Sequence, residues 1–327
     1  MRRSDLSIHL ENFLALKQAR AKANPHFGSD HRSRLRFEER LLRSFLAFWQ
    51  ERGYPWPIRA DFALDWVMTG SDVNHPCRDE KRLLAVRAFL LQVRTCEART
   101  EIPEVSFRRR YRRRTPYIFS DQEIVRLMDA ALQLRVCIRA FTVHALIGVL
   151  ASTGIRIGEA LRLNLGDVRL GANPPHLFIY ETKFGKSRNV VLHPSTAARL
   201  CLYLEERHAA LHGRHSDPFF TNGLLKPLIY NPLRYTFRLL LKRAGIVADA
   251  GQRRPTLHSF RHTFAVKRLM LWQREGKDIR QRLSHLAVYL GHYGPESTYW
   301  YLSATPELLQ TASALFDPQR LPGEGQQ

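Results

Sequence analysis

Six side chains in the second half of the sequence are of the types that handle phosphate groups. Guanidinium forks match phosphate oxygens bidentately and can stabilise a pentavalent phosphorane without a metal ion. Lysine can protonate a leaving oxygen, and a phenol can attack once a base or a cationic field helps it to ionise. In chain order the residues are Arg156, Lys183, His258, Arg261, His292 and Tyr301. The set indicates phosphoryl transfer that needs neither a metal ion nor a cofactor.

The first arginine lies in the segment STGIRIGEALRL, residues 152–163. Arg156 and Glu159 are three residues apart at the start of a predicted helix, so they share a face. Alone, this spacing would indicate an ordinary surface ion pair. The flanking Ile155 and Ile157 are apolar, however, so we expect Arg156 to leave a largely buried turn, where it needs an anion or another partner.

The second arginine belongs to an HxxR pattern in LHSFRHTFAVKRL, residues 257–269. His258, Arg261 and His262 occur at i, i+3 and i+4 and share a helix face. The pattern alone is weak, because a histidine packed at a helix end is its ordinary interpretation. Two histidines four residues apart could also bind a metal ion, but the glutamate of HExxH is missing.

Three further features are weak signals when each is taken alone. Lys183 lies at the tip of a predicted hairpin, where lysines are usually solvated. The nearby GKS fails as a phosphate loop, because Tyr180 stands where the first glycine is required. His208, His212 and His215 could hold a metal ion, although an exposed helix end that runs into a loop is the favoured interpretation.

The charge of the chain favours a polyanionic partner. The formal net charge is +21 and the pI is about 10.5; residues 1–116 contribute +10 and the remainder +11. Such a field attracts nucleic acid or an acidic membrane surface. No apolar run approaches the roughly 20 residues that span a bilayer, and residues 1–10 lack the apolar core of a signal peptide. Nucleic acid is therefore the favoured partner, with no membrane.

The cysteines indicate a reducing compartment. None of Cys77, Cys96, Cys137 and Cys201 is close enough to another to form a CxxC pair. Zinc ribbons and redox motifs are therefore unsupported, and scattered free thiols fit the cytoplasm.

Periodicity predicts a first domain at residues 1–105, a helical module with a flexible N-terminal segment. Apolar residues recur at helical spacing over 32–52, 58–70 and 79–97, whereas residues 1–31 are polar and weakly patterned.

Residues 106–116 form a predicted interdomain linker, because a core cannot absorb their arginines. A merely solvated hinge is the alternative, but the overall charge favours an arm that lies on DNA phosphates. The run comprises Arg108, Arg109, Arg110, Arg112, Arg113 and Arg114.

Residues 117–327 form the predicted second domain. A capping box at Ser120 opens a helix, an apolar helix over 140–154 ends at Gly154, and residues 176–194 are predicted as strand, turn and strand. Helices dominate the rest, with a final amphipathic helix over 306–316 and a frayed tail. The fold class is therefore mainly α with a small antiparallel β-sheet.

Three of these segments, taken in order, resemble the tyrosine recombinase (phage integrase) family. TGIRIGEAL resembles its first arginine box, LHSFRHTFA its HxxR box, and LGHYGPESTYWYL its final box with the tyrosine. The resemblance covers roughly residues 117–316. It implies a two-domain architecture in which a helical core-binding domain that clamps DNA precedes a mixed α/β catalytic domain. The ending TYWYLSATPELL further resembles recombinases of transposons and other mobile elements.

The resemblance also selects the nucleophile. In the family this tyrosine follows the LGH histidine by nine residues with a threonine between, and Tyr301 follows His292 at that spacing with Thr298 between them. Tyr293 comes too early. Tyr299 is the alternative if the register slips by two residues.

Roles are implied by the same resemblance. Arg156 and Arg261 grip the scissile phosphate, and Glu159 supports the arginine and histidine network. His258 assists proton transfer at the phenol, Lys183 protonates the departing 5′ oxygen, and His292 donates a hydrogen bond to the phosphate. Tyr301 would form a 3′-phosphotyrosyl bond.

Two features depart from the family pattern. Phe260 stands where leucine is usual, and the stretch between Arg261 and His292 is longer than is typical, which bears on the placement of His292.

The predicted function is site-specific DNA recombination for integration, excision or transposition of a mobile element. The implied partner is a double-stranded recombination site, bound by a protein that is a monomer or weak oligomer alone. On DNA it would form a homotetramer, or a hetero-oligomer with related recombinases. The alternatives are DNA relaxation as by a type IB topoisomerase and DNA binding without catalysis.

Overall fold

The computed structural model describes residues 5–23, 29–53, 55–70, 77–104, 115–180, 187–249, 252–291 and 296–303. The chain divides into two compact units, residues 1–113 and 114–327. Over the described residues the protein is mainly α-helical with one small antiparallel sheet, so the predicted fold class is confirmed. Several predicted features lie outside these residues: the arginine run, Lys183, His292 and the helix over 306–316.

The first unit is helical where the structure describes it. Its helices are α1 (Asp5–Ala23), α2 (Ser29–Glu51), α3 (Ala60–Thr69) and α4 (Cys77–Cys96). Helix α4 packs against α1, α2 and α3 around an apolar cluster that includes Phe45, Trp66 and Phe89. Helices α2, α3 and α4 correspond to the three predicted helical segments.

Helix α1 corrects the prediction of a flexible segment at the N-terminus. The helix buries one apolar stripe at spacings of four, three and one residues. The exposed Ile8 and Leu16 lie off this stripe and obscure its period in the sequence. The buried residues are Leu6, Leu10, Phe13 and Leu14.

The second unit surrounds an apolar cluster with helices and places one small sheet beside them. Its elements are α5 (Asp121–Leu132), α6 (Cys137–Thr153), α7 (Ile157–Ala160), β1 (Val168–Arg169), β2 (His176–Ile179), β3 (Arg188–Val191), α8 (Pro194–Leu211), α9 (Tyr230–Arg243), α10 (Ser259–Arg274), α11 (Ile279–Leu290) and α12 (Glu296–Tyr299). Short 3-10 turns cover Leu165–Asp167 and Trp300–Ser303.

The start of α5 follows the predicted local signal. The Ser120 hydroxyl accepts from the backbone N–H of Glu123, and the Glu123 carboxylate accepts from the backbone N–H of Ser120, which confirms the capping box. Residue Phe119, just before this cap, donates its backbone N–H to the Thr263 hydroxyl at 2.9 Å. The start of the unit is thereby tied to α10.

Helix α6 lies at the centre of the unit, packed against α5, α8 and α10. It ends at Gly154, as predicted, and this glycine adopts the left-handed region with φ of 64°. A Cβ placed on Gly154 would lie 2.5 Å from Phe264 of α10. The glycine therefore permits both the turn and the close approach of the two helices.

The sheet has the order β1-β2-β3, and both pairings are antiparallel. Strands β2 and β3 pair Ile179 with Arg188 and His176 with Val191, which confirms the predicted strands on either side of the turn. Side chains alternate between faces along a strand, so Arg188 shares a face with the buried Val190. This register directs Arg188 away from solvent.

Candidate active site

Three guanidinium groups converge on the last turn of α11. The final carbonyls of a helix lack intrahelical partners and carry partial negative charge, which favours cationic donors. Gly291 ends this helix in the left-handed region, with φ of 68°. The contacts are Arg188 Nε to Tyr289 O at 2.8 Å, Arg261 Nη2 to Leu290 O at 2.6 Å, and Arg156 Nη2 to Gly291 O at 2.9 Å.

Glu159 joins two of these guanidinium groups. Its side chain is 2% exposed, and it accepts from Arg156 Nη1 and Arg188 Nη2, each at 2.8 Å. Burial by itself raises the pKa of this carboxyl, but hydrogen bonds and charge from Arg188 and Arg156 hold the pKa below its ordinary value. Three guanidinium groups against one carboxylate leave a formal excess of two positive charges, which suits a bound phosphate.

Arg261 is the most deeply buried of the three arginines, at 2% exposure. Its Nη1 donates to Gly154 O at 3.1 Å, so it connects the end of α6 to the end of α11. Burial, and then the charge of Arg156, lower its pKa to about 10, which leaves the guanidinium protonated at neutral pH. Its position is therefore fixed by two helix ends that are far apart in sequence.

Tyr301 is 2% exposed and packs in an apolar cluster with Phe264 and Leu290. Burial raises the pKa of its phenol, while the charge and a hydrogen bond from Arg261, and the charge of Arg156, oppose that rise. Tyr299, the alternative nucleophile, is 40% exposed. Of these two tyrosines, Tyr301 is the one held beside the arginines.

A row of aromatic rings links His258 to Tyr301. The ring centroids of His258 and His262 are 4.7 Å apart, and His262 lies 5.6 Å from Tyr301 and 5.0 Å from Trp300. His258 is exposed at the edge of this row. Loss of hydration and then the charges of nearby arginines lower its pKa to about 4. Because the pKa is lowered from its ordinary value near 6.5, His258 is neutral at pH 7.

The structure thus brings five residues proposed from sequence into one region: Arg156, Glu159, His258, Arg261 and Tyr301. Lys183, His292 and the six arginines of the run lie outside the described residues. The third histidine of the other cluster pairs with an acid, since His215 Nε2 lies 2.7 Å from Asp217 Oδ1 and both side chains are exposed. Among the described residues, no three His, Cys, Asp or Glu side chains group as metal ligands do.

Sequence reasoning missed Arg188 and gave His262 no role. The available signal for Arg188 was its register, because an arginine that shares a strand face with a core valine must find a buried partner. The spacing of four residues placed His262 on the same helix face as His258, but it carried no signal for the contact of His262 with Tyr301, which is distant in sequence.

Comparison with known proteins assigns the family. Residues 118–307 match the model of the phage integrase family. The protein y4rB of Sinorhizobium fredii, an integrase/recombinase by name, is 36% identical over 286 residues, which cover 85% of this chain and 90% of that protein.

Two solved structures share the fold. The XerH site-specific recombinase, bound to a palindromic difH substrate in a post-cleavage complex, aligns with a TM-score of 0.66 at 17% identity, covering 86% of this chain and 80% of that one. A lambda integrase tetramer bound to a Holliday junction aligns with a TM-score of 0.64 at 13% identity, covering 90% and 76% respectively.

The chain therefore belongs to the phage integrase family of tyrosine-type site-specific recombinases. Within the described part of the chain, no helix is long and apolar enough to cross a membrane.

Proposed function

We propose that this recombinase cleaves and rejoins DNA through a covalent 3′-phosphotyrosyl bond at Tyr301. The observation that carries the proposal is the position of the Tyr301 phenol, which lies beside the buried Arg261 and within the field of Arg156. A phenol with a raised pKa is protonated at neutral pH, so it needs a base when it attacks. His258, neutral at pH 7 and connected through the row of rings, supports that role.

In the cleavage step the Tyr301 oxygen attacks the scissile phosphorus while its proton passes to His258. The bond from phosphorus to the 5′ oxygen breaks, and Lys183 donates a proton to that oxygen. Arg156 and Arg261 stabilise the extra charge on the phosphorane, and His292 donates a further hydrogen bond. Attack by the 5′-hydroxyl of a partner strand reverses these transfers and rejoins the backbone.

The partner is proposed to be a double-stranded DNA recombination site. The formal charge of +21 and the two-charge excess at the arginines support a polyanion. Because the XerH and lambda integrase relatives are solved on DNA, the latter as a tetramer, we propose that this chain forms a homotetramer, or a hetero-oligomer with related recombinases, on its site. A role in a mobile element is supported only by the ending TYWYLSATPELL, residues 298–309, which resembles recombinases of transposons and other mobile elements.

The burial of Tyr301 has a consequence for this mechanism. At 2% exposure, the Tyr301 phenol is covered by protein in the absence of DNA, so a DNA phosphate could not reach it. DNA binding or assembly must therefore move the segment around Trp300–Ser303 before attack.

Incubation with a nicked DNA substrate tests the proposal, since loss of the short strand beyond the nick traps the covalent complex. DNA from the ends of the host element supplies the substrate, and mapping of attached ends in cells identifies the cleavage site. We expect an adduct with the wild type and with Tyr299→Phe, and none with Tyr301→Phe. An adduct that persists in Tyr301→Phe and disappears in Tyr299→Phe would move the nucleophile to Tyr299.

A further inference from the structure

We infer that Arg188 is a positioning residue that keeps Arg156 available for phosphate; this inference rests on the proposed function. Arg188 lies at the start of β3 and its side chain is 12% exposed. It is not one of the six residues singled out in the sequence. Its contacts connect the sheet to the phosphate-binding arginines.

All three nitrogens of the Arg188 guanidinium are occupied by protein. Nε donates to Tyr289 O at 2.8 Å, Nη2 donates to Glu159 Oε2 at 2.8 Å, and Nη1 lies 3.4 Å from Glu159 Oε1. Three of the five N–H donors of this guanidinium therefore point to protein oxygens. Because these contacts are to Glu159 and to the last turn of α11, Arg188 is placed to act through those groups, and Arg156 and Arg261 are the arginines proposed to meet the phosphate.

The main effect of Arg188 is electrostatic. The Glu159 carboxylate is 2% exposed, so its charge is weakly screened and must be balanced by neighbours. With Arg188 in place, the carboxylate is shared between two guanidinium groups. Without Arg188, Glu159 would neutralise Arg156 and would cut the positive excess at the site from two charges to one.

The second effect is geometric. Arg188 connects β3 to the same turn whose carbonyls hold Arg156 and Arg261. A Cβ on Gly291 would lie 3.0 Å from Arg188 Nη1, so the guanidinium is packed tightly against this turn. A displaced turn would carry the other two arginines with it.

A double-mutant cycle separates this role from that of a merely structural ion pair. The variants are Arg188→Met, Glu159→Gln and the double substitution. Arg169→Met is the matched control, because Arg169 is an exposed arginine on β1 of the same sheet. The amide introduced by Glu159→Gln keeps an oxygen that can accept from Arg156, and the double variant restores the two-charge excess. The measurement is the single-turnover rate of adduct formation at saturating nicked DNA, with urea unfolding of each variant.

Arg188→Met should form the adduct about 30-fold more slowly, as expected for loss of a group that supports charged residues at a reaction centre. The double variant should recover at least about fivefold relative to Arg188→Met, since coupled residues are not additive. Arg169→Met should match the wild type. Should Arg188→Met not fold, Arg188→Lys preserves the charge and should remain within about tenfold of the wild-type rate.

Two results would overturn this inference and leave the proposed function standing. One is a folded Arg188→Met that reacts within about threefold of the wild type, and the other is a double variant no faster than Arg188→Met. The same holds for a folded Arg188→Lys that falls more than about 100-fold below the wild type. A wild type that forms no adduct, with Tyr301→Phe indistinguishable from it, would instead overturn the proposed function and the inference with it.

Discussion

At His258 and Tyr301, loss of hydration has opposite effects on pKa and the same effect on charge. It lowers the pKa of the imidazole to about 4 and raises the pKa of the phenol, so both groups are neutral at pH 7. A neutral phenol retains the proton that must leave, and a neutral imidazole has the lone pair that can accept it. The two residues therefore suit a donor and an acceptor in one proton transfer.

This pairing predicts a particular pH dependence. Because the His258 pKa lies below its ordinary value near 6.5, the base form persists into acid, and cleavage at subsaturating DNA should decline only at a pH clearly below that ordinary value. At saturating DNA the bound phosphate stabilises the imidazolium, so the decline should move to higher pH. Adduct-formation rates measured from about pH 4 to 9 at both DNA concentrations check this, with His258→Asn as the control that lacks the shift. A decline near pH 6.5 under both conditions would contradict the assignment.

At position 261, a substitution that keeps only the positive charge of Arg261 should not preserve activity. Lysine is a point charge and cannot span Gly154 O and Leu290 O as the guanidinium does. Arg261→Lys should therefore lower the rate of adduct formation by about 100-fold or more, the size expected for one misplaced stabilising donor. Arg268→Lys is the matched control in the same helix, because the ring contacts of Arg268 with Phe264 and Trp272 are ones that a lysine can imitate. Equal rates for the two variants would show that Arg261 contributes only charge.

At the scale of elements, the features that were predictable are those with a local cause. The capping box at Ser120 and the helix end at Gly154 depend on residues within a few positions, so the sequence determines them. The helix α1 was missed because exposed Ile8 and Leu16 hide its apolar stripe. The Arg188–Glu159 pair spans 29 positions and exists only because β3 pairs with β2 in one register. Such long-range contacts have no signal in the spacing of nearby residues.

The junction of α6 and α10 gives a stability prediction. In Gly154→Ala a left-handed φ of 64° and a Cβ 2.5 Å from Phe264 act together. We expect a loss of about 2–4 kcal/mol in the free energy of unfolding. Gly245 has φ of 63° and open space around its Cβ position, so Gly245→Ala should lose only about 1–2 kcal/mol. Urea unfolding of both variants checks the difference; equal losses would mean that Phe264 moves aside without cost.

At the scale of the whole molecule, positive charge is spread along the chain rather than confined to one part of it. Residues 1–116 contribute +10 of the net +21, and six arginines fall within residues 108–114. Counterion release makes affinity for DNA fall with salt in proportion to the phosphates contacted. The chain should therefore bind DNA with a clear salt dependence.

The arginine run is expected to supply part of this dependence. Arg109→Gln/Arg113→Gln should reduce the slope of log affinity against log salt by about 2, one unit per lost phosphate contact. In the control Arg43→Gln/Arg99→Gln, the arginines already pair with Glu11, Glu39 and Glu97, so the slope should change less. Fluorescence anisotropy with labelled duplex DNA from about 50 to about 200 mM salt measures both. Identical slopes for wild type and the first variant would mean that the run is a solvated hinge.

The last turn of α11 binds the three arginines through main-chain oxygens, so the side chains of this turn take no part in those contacts. Val288, one position before these oxygens, is 75% exposed. Substitutions of Val288 should therefore leave the three arginine contacts intact. The same arrangement would let homologous proteins differ in amino-acid sequence at this turn while the three arginine contacts are preserved.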